Sequence, residues 1–185
     1  MNPIVLVRHG EPDIAITDRI SGTEIASFLA RYDAAPLHPA SMPSDALMEI
    51  ASGATIVCSD LPRSVASARR CGVSPQITDA LFAESIPPHF RSRWLRLRPK
   101  SWLILSRMLW MAGFSRHGES LASVRTRADR ATGMLADEAA RNRVVLFGHG
   151  LFNIMIAKAL KKYGYEGPRV PARAFWEYGV YRRNQ

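Results

Sequence analysis

Three four-residue runs are apolar at nearly every position: Ile4-Val5-Leu6-Val7, Thr55-Ile56-Val57-Cys58 and Val144-Val145-Leu146-Phe147. They are continuous rather than alternating. That pattern predicts strands covered on both faces, as in a parallel sheet under helices. Helical patterns lie between them. Ser21-Gly22-Thr23-Glu24 has the form of a capping box and precedes Ile25, Phe28, Leu29 and Tyr32 at helical spacing. Ser44 is placed to cap a short helix carrying Leu47 and Ile50. Pro62 suits the first turn of a helix through Val65 to Arg70. Leu121, Val124, Ala128, Ala131, Leu135 and Ala139 draw one stripe, with charges opposite. Leu151 to Leu160 reads as a buried helix. Strands alternating with helices predict an α/β fold, a three-layer α/β/α sandwich with a mostly parallel central sheet. Such sheets bind ligands beyond the carboxyl ends of their strands.

Each run ends in a polar cluster: Arg8-His9-Gly10, Ser59-Asp60-Leu61-Pro62-Arg63 and Gly148-His149-Gly150. The fold logic gathers all three at one edge. The 185 residues suit a single domain over 1–185, with no internal repeat or Gly/Ser linker. Hydrophobic residues are 47% and charged residues 22%, which excludes disordered and low-complexity classes. Cys58 and Cys71 form no Cys-x-x-Cys and suggest no disulfide framework. The start of the chain is too short an apolar run for a signal peptide. The longest apolar stretch, Trp102 to Phe114, is interrupted by Arg107 and falls short of the ~20 residues a span needs. A cytoplasmic protein with no membrane partner is the expectation.

The net charge of +9 is concentrated. From Ser85 to Gly118 there is no acidic residue, while Arg91, Arg93, Arg96, Arg98, Lys100, Arg107 and Arg116 are interleaved with Trp94, Trp102 and Trp110. Basic and aromatic residues together can serve nucleic acid, can draw an anionic small molecule to a site, or can be a solvated face over core tryptophans. Nucleic acid is the less favoured of these. Residues 85–118 are expected to be a basic insertion acting as a lid.

Two arginines, two imidazoles and a helix start at the strand ends suit a phosphoryl group. Arginine presents a fork of donors matching phosphate oxygens, and a helix N-terminus favours anions. Arg63 at a helix start opposes the dipole, which a bound anion would explain. A neutral imidazole can attack phosphorus, and arginines can stabilise the equatorial oxygens. A carboxylic acid must then protonate the leaving oxygen. Glu11 and Glu84 are both candidates. The scheme needs no metal and no cofactor. His9, Asp13, Asp60 and His149 are a poor metal set, because Arg8 and Arg63 would repel a cation. The Gly-x-Ser-x-Gly elbow and the P-loop pattern are absent from the sequence.

These residues resemble the histidine phosphatase superfamily, the phosphoglycerate mutase-like family. The matching elements are Val7-Arg8-His9-Gly10-Glu11, Ser59-Asp60-Leu61-Pro62-Arg63-Ser64, Leu81-Phe82-Ala83-Glu84, Gly118-Glu119-Ser120 with Arg125 or Arg127, and Val145-Leu146-Phe147-Gly148-His149-Gly150. They run in family order from residue 4 to about 160. The resemblance implies the phosphoglycerate mutase-like sandwich. It implies His9 as the phosphorylated nucleophile, Arg8, Arg63 and His149 as phosphate-binding residues, and Glu84 as general acid and base. It implies a phosphatase of the histidine acid phosphatase type acting on an anionic phosphorylated substrate. Glycolytic mutases carry an Asn and a polar Thr/Gly-rich loop where this chain has Glu11-Pro12-Asp13-Ile14, so hydrolysis is favoured over transfer. A phosphotransferase of the mutase type and a non-catalytic phospho-ligand module are the alternatives. Neither the substrate nor the oligomeric state is legible. Glu119 and Ser120 read as a helix cap, Asn153 as either pocket-facing or structural, and His38, His89 and His117 as surface or loop residues.

Overall fold

In the computed structural model, the described residues are 1–15, 18–85, 88–89, 91–116 and 118–183. Eight strands are present among them: β1 Ile4–Arg8, β2 Ile20–Ser21, β3 Thr55–Cys58, β4 Ile77–Thr78, β5 Arg96–Leu97, β6 Val144–Gly148, β7 Tyr165–Glu166 and β8 Tyr178–Arg183. The helices are α1 Ile25–Ala34, α2 Asp45–Ala51, α3 Pro62–Arg70, α4 Pro99–Met111, α5 Leu121–Ala139 and α6 Gly150–Lys162, with a 3-10 turn at Ala80–Phe82.

The main sheet has the order β4-β3-β6-β1-β8-β7. The first four strands are parallel; β8 runs antiparallel to β1 and β7 antiparallel to β8. The predicted architecture is thus present, with a C-terminal antiparallel edge that periodicity did not reveal. The short β7 and the half-polar β8 lack the continuous apolar run that marks the inner strands. Those inner strands are buried as expected: all of Val144–Gly148 and the first four residues of β1. One face of the sheet packs against α5 and α6 around Phe82, Leu135, Phe152 and Leu160. The other packs around Leu47, Ala51 and Ala68 of α2 and α3.

A second layer stands apart from the sheet. β2 pairs antiparallel with β5, and Trp102 of α4 packs with Ile20, Ile25 and Phe28 of β2 and α1. The Trp102 indole N–H donates to the Ile20 carbonyl at 2.8 Å. This unit takes up much of the basic 85–118 segment, and it contains α1. Within it the Arg96 guanidinium donates to the Arg19 carbonyl at 2.9 Å and lies 3.7 Å from Glu24.

The helix starts follow the expected chemistry with one change. Ser44 accepts from the Leu47 amide and Ser120 from the Ser123 amide, and Pro62 opens α3. The Ser21–Glu24 box closes only one arm. Glu24 accepts the Ser21 amide at 2.8 Å, but the Ser21 hydroxyl turns to the same carboxylate, and α1 begins only at Ile25. With α1 starting at Ile25 and Glu24 at its N-cap position, Ser21 lies three residues ahead of the cap. No helix among the described residues is long and apolar enough to cross a membrane.

Candidate active site

Register alone brings the strand-end clusters together. Arg8 of β1 pairs with Gly148 of β6, and Cys58 of β3 pairs with Phe147. The next residues, His9, His149 and Ser59, therefore leave the sheet side by side. The His9 amide donates to the Gly148 carbonyl at 3.0 Å, and the two imidazole centroids are 5.1 Å apart. Both histidines are buried.

Helix α3 locks this edge through serines that no hydrophobic pattern would single out. Ser67 accepts the Gly10 amide at 2.8 Å and donates to the Arg63 carbonyl at 2.6 Å. Ser64 accepts the Ser59 amide at 3.0 Å and donates to the Phe147 carbonyl. Gly10 is required sterically: an added Cβ would lie 2.4 Å from the Trp176 ring. Trp176 holds a φ of 65°, in the left-handed region that non-glycine residues rarely occupy. Its amide bonds the Arg8 carbonyl, and its indole N–H donates to Ser41. A strained residue clamped beside a cluster of charged groups marks a place the fold holds rigid.

The partners of His9 assign its protons. Arg63 Nε donates to His9 Nε2 at 3.2 Å, and a guanidinium has no acceptor, so Nε2 presents its lone pair. The other ring nitrogen, Nδ1, lies 2.7 Å from the Gly10 carbonyl, which can only accept, so Nδ1 carries the hydrogen. Burial first, then the charges of Arg63 and Arg8, lower the His9 pKa from 6.5 to about 3; the bond to Gly10 pulls the other way. His149 is also pushed well below its ordinary value, by burial first and then by His9 and the arginines. Its Nε2 is 2.7 Å from the Ser59 hydroxyl. Among the described residues, neither His149 Nδ1 nor Arg8 Nε, both buried, has a hydrogen-bond partner.

Arg63 is almost fully buried. Its Nη1 meets the Asp33 carboxylate at 2.8 Å, and its Cζ sits 5.0 Å over the Tyr32 ring. The helix-start cation that pointed to an anion thus has a protein counter-ion from α1. Sequence reasoning missed Asp33 entirely, since a carboxylate distant in sequence on a surface helix carries no local signal. Arg8 lies 4.4 Å over Phe175 and donates Nη1 to the Arg173 carbonyl. A Cβ on Gly150 would come within 3.6 Å of Arg8 Nε, so the arginine lies against the start of α6. The Phe175 ring is 5.5 Å from His9 and also lines an open groove of about 490 Å³ with Met42, Pro171 and Trp176. Phe175 and Trp176 sit in a segment without periodicity, and nothing in the sequence singled them out.

Glu84 reaches the same place by an unexpected route. Its oxygens accept the amides of Leu151 at 3.1 Å and Phe152 at 2.9 Å. These are free donors of the first turn of α6, which has no capping side chain of its own. A helix terminus here was expected to receive a phosphoryl group; two of its amides instead hold Glu84 beside His149. Burial raises the Tyr32 pKa, opposed by Arg63 and Arg8 and reinforced by Glu84 and Asp33, so all four charges act on one phenol. The other carboxylate considered, Glu11, is exposed.

Arg127, one of the two arginines matched to the fourth motif, braces Glu84. Its Nη1 donates to the Leu81 and Ala83 carbonyls at 3.0 and 2.7 Å, while Nε and Nη2 clasp Glu119 at 3.1 and 2.7 Å. Its guanidinium stacks 3.9 Å from the Phe152 ring. Glu119 is held in an ion pair with Arg127, and the Ser120 side chain caps α5. Asn153 is fully buried; its amide donates to the Val7 carbonyl at 2.9 Å, while its Oδ1, packed against Gly148, has no hydrogen-bond partner among the described residues. His38 is exposed as expected. His89, read as a surface or loop residue, lies outside any helix or strand but is buried, and its amide bonds the Arg116 carbonyl. His117 lies outside the described residues. Among the described residues, no group of three His, Cys, Asp or Glu is placed to hold a metal ion.

The buried neutral histidines carry a stability consequence. Above pH 6.5 neither folded nor unfolded histidine is charged. Below it the unfolded chain takes up protons that the folded one refuses, until pH falls to about 3 for His9. Stability is therefore full above pH 6.5 and declines with acid. From pH 7 to 5 His9 is expected to remove about 2 kcal/mol, and His149 acts in the same direction. Urea unfolding across that window should show a steeper acid loss in the parent than in His149→Asn. Equal slopes would contradict the burial effect.

A family model described as histidine phosphatase superfamily (branch 1) matches residues 40–173, which include Arg63, Glu84 and His149 but begin after His9. Solved structures of the same fold span the rest. The Mycobacterium tuberculosis open reading frame Rv3214 aligns at a TM-score of 0.62 and 19% identity, over 97% of this chain and 90% of that one. An Escherichia coli protein described as an alpha-ribazole-5'-P phosphatase aligns at 0.59 and 17%, over 100% and 92%. A mycobacterial glucosyl-3-phosphoglycerate phosphatase aligns at 0.51 and 22%, over 87% and 80%. No curated protein matches the sequence.

Proposed function

The chain belongs to the histidine phosphatase superfamily, and from that premise we propose that it hydrolyses phosphomonoesters through a phosphohistidine on His9, without a metal ion. The observation that carries the reading is the proton inventory at His9. Nδ1–H is spent on Gly10, Nε2 is unprotonated and accepts the Arg63 Nε–H, a hydrogen bond that passes to a phosphoryl oxygen before Nε2 attacks, and burial keeps the ring neutral through the physiological range. An unprotonated buried imidazole flanked by two arginines suits attack on an anionic phosphoryl group.

The reaction proceeds in two balanced steps. The Nε2 lone pair forms the N–P bond as the P–O bond to the leaving group breaks, and Glu84 gives its proton to the departing oxygen. Water then attacks phosphorus, Glu84 takes its proton, and the N–P electron pair returns to Nε2 as phosphate leaves. Arg63, Arg8 and His149 meet the equatorial oxygens. The buried Arg8 Nε and His149 Nδ1, which no group among the described residues satisfies, support that role. An anionic phosphorylated substrate follows from the same charges. The neighbours described as phosphatases of glucosyl-3-phosphoglycerate and of alpha-ribazole-5'-phosphate make small phosphorylated metabolites the first to assay.

The test is p-nitrophenyl phosphate hydrolysis from pH 4 to 8, with and without EDTA and with added acceptor alcohols or phosphoglycerates. EDTA-insensitive release of inorganic phosphate supports the reading. Loss with EDTA overturns metal independence. Transfer to an acceptor without net phosphate release overturns hydrolysis in favour of the mutase-type reaction.

Arg127 offers a more selective check. Replacing it with Met removes the carbonyl clasp at Leu81 and Ala83 while keeping an apolar stem over Phe152. The expected result is kcat for an alkyl phosphate lower by about 10- to 100-fold with KM little changed, because Glu84 loses its placement rather than the phosphate its ligands. A rise in KM alone would contradict that role.

A further inference from the structure

We propose that the outer face of α4 seats the protein on an anionic membrane surface. Helix α4 has apolar residues on two sides. One side, with Trp102 and Trp110, is buried on the domain. On the other, Ile104 is 59% exposed, Met108 63% and Met111 77%. Spaced by four and three residues, these three form one continuous stripe open to solvent. By helical geometry Lys100 and Arg107 fall within about 60° of Ile104 on one side of that stripe, and both are exposed. The chain entering α4 adds exposed Arg91, Arg93, Arg96 and Arg98, with Trp94 95% exposed among them.

Three large exposed apolar side chains on one helix face are unusual in a monomer and call for an occupant. The charge decides which. Between Ser85 and Gly118 the chain carries seven cations and no acid of its own; of the seven, Arg96 lies 3.7 Å from Glu24, outside the segment. A second copy meeting this face across a two-fold axis would oppose like charge with like charge. Nucleic acid would use the cations but would leave the Ile and Met stripe without a counterpart. An anionic bilayer uses both: headgroups meet Lys and Arg, the acyl boundary takes Ile104, Met108 and Met111, and a solvated Trp suits the interface. Absence of a membrane partner was expected from the lack of a span; a helix lying in the interface needs none.

The test is co-sedimentation of the full chain with vesicles of phosphatidylcholine alone and of phosphatidylcholine mixed with phosphatidylglycerol. At low salt the anionic vesicles are expected to bind at least about tenfold more tightly, with affinity falling as salt rises. The triple variant Ile104→Ser, Met108→Ser, Met111→Ser should lose at least about tenfold in binding. Its circular dichroism and thermal midpoint report whether it remains folded. Should it fail to fold, Lys100→Gln with Arg107→Gln serves in its place and should flatten the salt dependence. Equal binding to both vesicle types, or none at low salt, overturns the proposal. So does light scattering that shows a dimer abolished by the same triple substitution, since a second copy would then cover the stripe. Polynucleotide binding indifferent to the triple substitution, without vesicle binding, overturns it in favour of nucleic acid.

Discussion

Replacing His9 with alanine is expected to lower kcat for p-nitrophenyl phosphate by at least about 10³-fold, since removal of a covalent nucleophile leaves only binding and electrostatics to act. His9→Gln should fare no better. Its carbonyl can accept the Arg63 hydrogen bond, so geometry is largely kept, but an amide oxygen is no nucleophile. The two variants together separate chemistry from packing, because only alanine leaves a hole between His149 and Phe175. Acid quenching would destroy a phosphoramidate, so the intermediate is trapped by denaturing the parent in alkali during turnover. A base-stable, acid-labile phosphoryl group should appear on the parent and be missing from both variants. Activity within tenfold of the parent in either variant would reject His9 as the nucleophile.

Glu84→Gln is expected to be the second most damaging change, and its effect should depend on the leaving group. For an alkyl phosphate, whose alkoxide needs a proton, kcat should fall by about 10²- to 10⁴-fold. For p-nitrophenyl phosphate, whose phenolate leaves unaided, the fall in the phosphorylation step should be far smaller. A structural cost accompanies the change. The carboxylate accepts two α6 amides, and a glutamine must turn its NH₂ toward one of them, at a cost of about 1–3 kcal/mol. Stability alone cannot produce leaving-group dependence, so the ratio of the two losses is the readout. An equal loss in the phosphorylation step on both substrates, read from single-turnover rates, would reject the acid role and leave Glu84 as a cap for α6.

Arg127 and Glu84 illustrate how the site is built. Residues 81–84 form no regular strand leading into the cluster; Leu81 and Phe82 end a 3-10 turn, and Ala83 and Glu84 follow it. Their placement comes from two long-range devices, the Arg127 clasp on the carbonyls of Leu81 and Ala83 and the α6 amides on the carboxylate. Each device uses backbone groups that any sequence carries. The motif at Glu119 and Arg127 was legible as a pattern, yet its physical content, a bidentate ion pair bracing a loop 40-odd residues earlier in the chain, appears only in three dimensions.

The hydrophobic pattern by itself determined the inner strands, their burial on both faces and the helices that follow them. The reason is local: continuous apolar runs and 3.6-residue stripes are properties of short windows. Strand ends in a parallel sheet converge, so Arg8, His9, Arg63 and His149 were legible as one cluster before any coordinates. The C-terminal β7–β8 edge was not, because its strands are short or half polar. The tertiary structure alone decided the proton on His9, the Asp33 counter-ion of Arg63, the Phe175 and Trp176 wall, the burial of His89 and the seating of Glu84 on α6. Each of these is a contact between segments far apart in the chain, set by register and packing rather than by any residue's neighbours in sequence.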